Sequence, residues 1–193
     1  MTRTNGAPPS LDITANRRAS KWTRSELAGR ILWALAQPLF RLTPRPLWAV
    51  RTALLQAFGA RVGHNVQIHP TVKIAIPWNL SIGDRAGIGD RAILYALGPI
   101  TIGADATISQ GAHLCAGTHD FRDAAMPLLK PPIIIGAGAW VCADAFVGPN
   151  VSVGELAVLG ARSVAMRDVP AGAIAAGNPA RVVGRRVMRA VEP

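Results

Sequence analysis

An aliphatic side chain returns at every sixth position of this chain, and it does so in five sets. Val62, Ile68 and Ile74 form the first, Ile82, Ile88 and Leu94 the second, and Ile102, Ile108 and Leu114 the third. After a break come Ile135, Val141 and Val147, then Val153, Leu159 and Ala165. A period of six belongs neither to an ordinary strand nor to a helix. It is the period of a hexapeptide parallel β-helix, in which each repeat is one short flat face and three repeats close a coil.

The phase of the count sharpens this. The sets open at Val62, Ile82, Ile102, Ile135 and Val153, each followed by a glycine, with spacings of 20, 20, 33 and 18 residues. Every residue beyond the 18 of three repeats falls between the third repeat of one coil and the first of the next. Loops therefore leave the stack along one edge only. The fifth position of most repeats is small (Ala86, Ala92, Ala106, Ala112, Ala139, Ala145, Ala157 and Ser163), as a tight inward corner requires. Trp78 and Val151 are exceptions that mark wider corners. An all-β sandwich would show alternation and variable turn spacing instead.

The reading is a mainly β chain: a tail over 1–20, a helical cap over 21–61, a repeat stack over 62–170 with a loop at 117–134, and a tail over 171–193. Thr23-Arg24-Ser25-Glu26 has the form of a capping box. It predicts a helix from about Arg24 to Gln37, stopped by Pro38, with Leu27, Ile31 and Leu35 on one face. Pro46 suits the first turn of a second helix that Gly59 ends. Two such helices would cover the open first coil, and the first 20 residues are expected to be disordered.

Charge is uneven. Residues 1–61 hold ten Lys/Arg against Asp12 and Glu26, residues 62–180 seven against eight acids, and residues 181–193 four against Glu192. No nucleic-acid motif accompanies the basic ends, so the expected attraction is to an anionic membrane surface or a phosphorylated ligand. Trp22, Trp33 and Trp48, read as outward, beside Arg24, Arg30, Arg41, Arg45 and Arg51, would reach membrane headgroups. Neither helix is long enough to span a bilayer. Two cysteines, Cys115 and Cys142, with no signal peptide point to the cytoplasm, peripheral to the membrane at most, and to free thiols.

The long loop holds Gly117-Thr118-His119-Asp120-Phe121. A loop of that length in so regular a stack is usually functional. His119 is the first catalytic candidate, because imidazole accepts and returns a proton near neutral pH. Asp120 or Asp123 is placed to orient its ring. The chain has no nucleophile elbow and no cysteine paired with histidine, so a covalent intermediate on the protein is not indicated.

Taken together, the repeats, the Thr118-His119-Asp120 loop, Gly138-Ala139-Trp140-Val141 and the tail Ala176-Gly177-Asn178-Pro179-Ala180-Arg181-Val182 resemble the hexapeptide-repeat acyltransferases. Narrower phrases, among them Gln37-Pro38-Leu39-Phe40, Ile76-Pro77-Trp78-Asn79-Leu80 and Ile108-Ser109-Gln110-Gly111-Ala112, resemble the colanic acid biosynthesis acetyltransferase type (WcaF-like). The resemblance covers roughly residues 21–186. It implies a left-handed parallel β-helix of about five coils, although the general crossover rule favours the right hand. It further implies a homotrimer that binds acetyl-CoA between neighbouring prisms. By position, it makes His119 the base, sets Trp140 beside the pantetheine arm, and gives Ala143 and Ala161 backbone groups for its amides. It places Arg167 and Arg181 toward the CoA phosphates.

The implied reaction is direct O-acetylation of a sugar hydroxyl in exopolysaccharide or other glycan synthesis, with no metal. Asp90, Arg91 and Tyr95, on the second coil, are the candidates for holding the sugar. N-acetylation of an amino sugar is the alternative acceptor chemistry. A zinc-dependent, carbonic-anhydrase-like enzyme on the same fold would need three converging histidines from His64, His69, His113 and His119.

Overall fold

The computed structural model describes residues 10–189; the outer ends of the two expected tails, 1–9 and 190–193, lie outside the described residues. Three parallel sheets form the sides of a prism. The first side stacks Arg61–Val62, Leu80–Ile82, Ile100–Ile102, Ile133–Ile135 and Ser152–Val153. The third stacks Lys73–Ile74, Ile93–Tyr95, His113–Cys115, Phe146–Val147 and Val164–Ala165. The second, between them, stacks Gln67–Ile68, Gly87–Ile88, Thr107–Ile108, Trp140–Val141, Val158–Leu159 and Ala173–Ala176. Arg181–Arg185 then folds back antiparallel to close that sheet.

The period-six residues lie over one another. Val62 pairs with Ile82, Ile82 with Ile102, Ile102 with Ile135 and Ile135 with Val153. Ile108 pairs with Val141 and Leu114 with Val147 on the other sides. From Ile68 onward these side chains are buried in one continuous core, each valine, leucine and isoleucine contributing about 1.5–3 kcal/mol relative to exposure. Five coils are complete, and Val169, bridged to Val153, begins a sixth with Ala173–Ala176.

Corners are made by a residue at positive φ followed by a small buried one, as at Arg85-Ala86, Asp105-Ala106 and Asp144-Ala145. The glycine that opens each coil has a different cause. A Cβ at Gly83 would stand 2.5 Å from the backbone nitrogen of Ala104, and one at Gly103 would stand 2.5 Å from that of Ala137. Successive coils approach here too closely for any side chain.

Within the stack, the carbonyl of each inward residue accepts an N–H from the coil before it. Gly63 donates to Ile82 (2.8 Å), His69 to Ile88 (3.0 Å) and Ala75 to Leu94 (3.1 Å). The first coil has no predecessor, so its carbonyls at Val62, Ile68 and Ile74 need other donors. The helical segment supplies one for each side. Its helices are α1 (Ile13–Arg18), α2 (Arg24–Leu42) and α3 (Trp48–Ala57). Gln56 Nε2 donates to Val62 (2.9 Å), Arg51 Nε to Ile68 (2.7 Å) and Trp33 Nε1 to Ile74 (2.8 Å). Arg51 is fully buried and also donates to the carbonyls of Thr43, Pro44 and Arg45.

Three sequence expectations change here. First, α2 continues through Pro38 to Leu42. An internal proline costs about 3 kcal/mol, and burial of Phe40, whose ring packs edge-on against Trp33, offsets it. Second, the face of α2 that is buried is the one bearing Trp33 and Phe40, with Gly29 closing on the Trp78 ring, while Leu27, Ile31 and Leu35 are exposed. Trp33 and Arg51 are therefore not outward groups, and Trp22 is covered by Arg30 and Lys130. Third, residues 12–18, expected within a disordered tail, form α1 with its Asp12 cap and dock on the long loop. That loop has carbonyls without partners of its own, and a polar segment can satisfy them.

Candidate active site

The loop leaves the edge between the third and first sides and folds into a hairpin, Thr118–His119 pairing antiparallel with Leu128–Leu129. Its turn is built by two carboxylates: Asp120 Oδ1 accepts from Arg122 N (3.0 Å) and Asp123 Oδ1 from Ala125 N (2.8 Å). Met126 sits at positive φ, which turns its carbonyl toward His119. His119 Nδ1 lies 2.6 Å from that oxygen. A carbonyl only accepts, so Nδ1 carries the hydrogen and Nε2 keeps its lone pair. The ring is thus oriented by Met126, and the bonds of Asp120 and Asp123 serve the turn rather than the imidazole.

Residues far away in sequence hold this hairpin. Asn16 Nδ2 donates to the carbonyls of Ala125 (2.7 Å) and Met126 (2.5 Å), and Lys21 Nζ fixes its amide by donating to Oδ1 (2.8 Å). Asp12 N donates to Ala124 O (2.8 Å). Lys130 Nζ donates to Lys21 O and stands 3.7 Å from the centre of the Trp22 ring. Asn16 escaped the sequence reading because nothing local marks it; its partners are more than a hundred residues away.

A second constellation occupies the edge between the second and third sides. Gly111 N donates to Asp90 O, Asp144 N to Gln110 O and Arg162 N to Ala143 O, so the corners of coils two to five form one column. Asp90, Arg91 and Gln110 line, with Arg45 and His69, a cavity of about 520 Å³ at its lower end. Asp90 is already engaged, accepting from Thr71 Oγ1 and paired with Arg91 at 3.6 Å. Ala143 and Ala161 stand higher in the column, on coils four and five. The Ala143 carbonyl accepts from Arg162 N, while its own N–H has no backbone partner among the described residues. Trp140 projects from the adjacent second side, half-exposed, with Nε1 held by Ser109 Oγ at 2.8 Å. Arg167 and Arg181 are exposed near the closing end of the stack.

Tyr95 does not join Asp90 and Arg91. It ends a third-side strand, where its ring meets that of His113, which also packs edge-on against Phe146. His113 Nε2 is buried without a hydrogen-bond partner, and burial holds its imidazole below the ordinary histidine range. Burial likewise raises the thiols of Cys115 and Cys142, which keeps them protonated. Among the described residues no three His, Cys, Asp or Glu side chains come together as a metal site. His64 lies beside Asp84 (3.5 Å) and His69 beside Arg45 (3.2 Å), both on the first coil.

A comparison with protein-family models returns no match. Curated proteins do match. The chain is 44% identical over 158 residues to the putative colanic acid biosynthesis acetyltransferase WcaF of Escherichia coli, covering 82% of this chain and 87% of that one. It is 27% identical over 136 residues to the galactoside O-acetyltransferase of the same organism, covering 69% and 67%. Among solved structures, a hexapeptide-repeat acetyltransferase of Vibrio cholerae in complex with acetyl-CoA superposes with a TM-score of 0.79 at 24% identity, over 86% and 91% of the two chains. A galactoside acetyltransferase in complex with coenzyme A gives 0.79 at 23% identity, over 91% and 92%. The chain belongs to the hexapeptide-repeat acetyltransferases of the WcaF type, with their left-handed β-helix.

Proposed function

We propose that this chain transfers the acetyl group of acetyl-CoA directly to a sugar hydroxyl in exopolysaccharide synthesis, with His119 as general base. The observation that carries this reading is the 2.6 Å approach of Nδ1 to the Met126 carbonyl, which leaves Nε2 as a free proton acceptor on an otherwise regular scaffold. Acetyl-CoA supplies an activated thioester carbonyl. His119 Nε2 takes the proton of the acceptor hydroxyl as its oxygen adds to that carbonyl. The same nitrogen returns the proton to sulfur as the C–S bond breaks. The Ala143 N–H and a backbone group of Ala161 hold the amides of the pantetheine arm, Trp140 lies along it, and Arg167 with Arg181 meets the phosphates. Asp90 and Arg91 bind the sugar.

This assignment requires more than one copy. His119 leaves the edge between the third and first sides, whereas the column of Ala143 and Ala161 runs along the edge between the second and third. The loop of one prism completes the column of its neighbour, and a homotrimer closes that arrangement by symmetry. The name of the 44%-identical relative supports an exopolysaccharide acceptor.

The test is thiol release from acetyl-CoA with free, nucleotide-linked and lipid-linked sugars, comparing wild type with His119→Ala. Loss of the base should lower kcat roughly 10²–10⁴-fold while trimer mass and acetyl-CoA binding persist. Near-normal turnover of the variant would remove His119 from the chemistry. A fully active monomer by light scattering would remove the shared site.

A further inference from the structure

A surface helix normally carries one apolar face, turned to the core. Helix α2 carries two. Its inner face packs Trp33 and Phe40 on the first coil, and its outer face presents Leu27, Ile31, Leu35, Leu39 and Leu42, between 47% and 81% exposed. These positions follow one another at three or four residues, so they form a single stripe roughly 23 Å long, at 1.5 Å rise per residue. No interior need explains them, since the core beneath is already closed by the opposite face.

The charge around the stripe identifies its occupant. Arg24 shares the outer face at its amino-terminal end, and exposed Arg41 stands at the other end, with exposed Arg17 and Arg18 on α1. The two carboxylates of the described helical segment are both spent. Asp12 caps α1, and Glu26 closes the capping box of α2 and faces Lys130 at 3.8 Å. The repeat stack carries seven basic against eight acidic residues, so the positive charge around the stripe comes from this segment and not from the prism beneath it. An aliphatic stripe with basic flanks is the composition of a helix that lies in the plane of an anionic bilayer. None of the described helices is long and apolar enough to cross one.

We propose that the outer face of α2 docks this protein in-plane on an anionic phospholipid surface. The aliphatic stripe enters the acyl boundary and the arginines meet phosphate headgroups. This surface is independent of the base assigned to His119.

The full chain should co-sediment with sucrose-loaded vesicles of phosphatidylglycerol and phosphatidylethanolamine, and at least tenfold less with phosphatidylcholine vesicles. A variant carrying Ile31→Glu, Leu35→Glu and Leu39→Glu should lose at least tenfold of that partitioning while keeping thiol-release activity on a soluble acceptor. A wild-type chain that ignores anionic vesicles, or a variant that binds them as well, overturns the proposal. So does a fall in molecular mass of the variant with vesicle binding unchanged, since the stripe would then seat a second copy. As a check that does not depend on charge insertion, Leu35→Cys labelled with an environment-sensitive dye should shift to the blue on anionic vesicles. An unshifted label overturns the proposal equally.

Discussion

Asn16 and His119 meet on one atom, the carbonyl oxygen of Met126, at 2.5 and 2.6 Å. A carbonyl has two lone pairs, and each takes one donor here. The amide of a short amino-terminal helix therefore holds the group that fixes the tautomer of the proposed base. Asn16→Ala should lower kcat about tenfold to a hundredfold, in the range that misplacing a catalytic group costs. KM for acetyl-CoA should stay unchanged, and Asn16→Gln should restore part of the loss. Steady-state kinetics that show an altered donor KM and an unaltered kcat would contradict this role.

Removing the donor that caps the second side of the first coil is expected to be severe. Arg51→Ala leaves carbonyls at Ile68, Thr43, Pro44 and Arg45 without their buried partner, and hydrogen bonds to charged groups are worth about 1.5–3 kcal/mol each. A loss of about 3 kcal/mol or more in urea unfolding is expected. Arg51→Lys should recover little, because an ammonium cannot span the same carbonyls.

The coil-opening glycines should tolerate nothing larger. Gly103→Ala puts a methyl 2.5 Å from the Ala137 backbone, where no side chain can yield, whereas Gly87→Ala meets nothing within 4 Å. The first should destabilise by about 1–3 kcal/mol, as overpacking does, and the second by much less. Equal unfolding midpoints for the two variants would refute the close-approach explanation.

The buried, unpartnered Nε2 of His113 sets a pH response. Its folded pKa lies below the unfolded value, so the unfolded chain binds more protons as pH falls. Stability is full above about pH 6.5, the ordinary histidine value, and declines as pH drops through the lowered folded pKa. His69, also lowered chiefly by burial, acts with the same sign. His113→Phe should flatten the wild-type loss between about pH 6.5 and 5 in thermal unfolding, leaving the His69 share. A variant with the same slope as wild type would show that His113 does not titrate on unfolding.

The coils were legible in the sequence because period six has one structural meaning and because each inward residue is followed across the stack by its own equivalent. His119 was legible because the loop interrupts that period. The faces of α2 were misread for a physical reason: an amphipathic reading assumes one apolar side, and here the leucines outside outnumber the aromatic pair inside. Its end was misread because burial of Phe40 overrides the proline. The split of Tyr95 from Asp90 and Arg91 followed from where corners fall, which spacing alone does not fix. Asn16 was invisible because its role depends on a loop folded a hundred residues later.

The insertions in this stack are gathered along one seam, the edge between the third and first sides, where the His119 hairpin emerges. The column proposed for the donor lies along another edge and belongs to the regular repeats. A chain built this way can lengthen, shorten or replace its hairpin without moving a single rung of the ladder beside it. The base proposed on the hairpin and the column proposed for the donor are thus separable variables in this architecture, free to change at different rates.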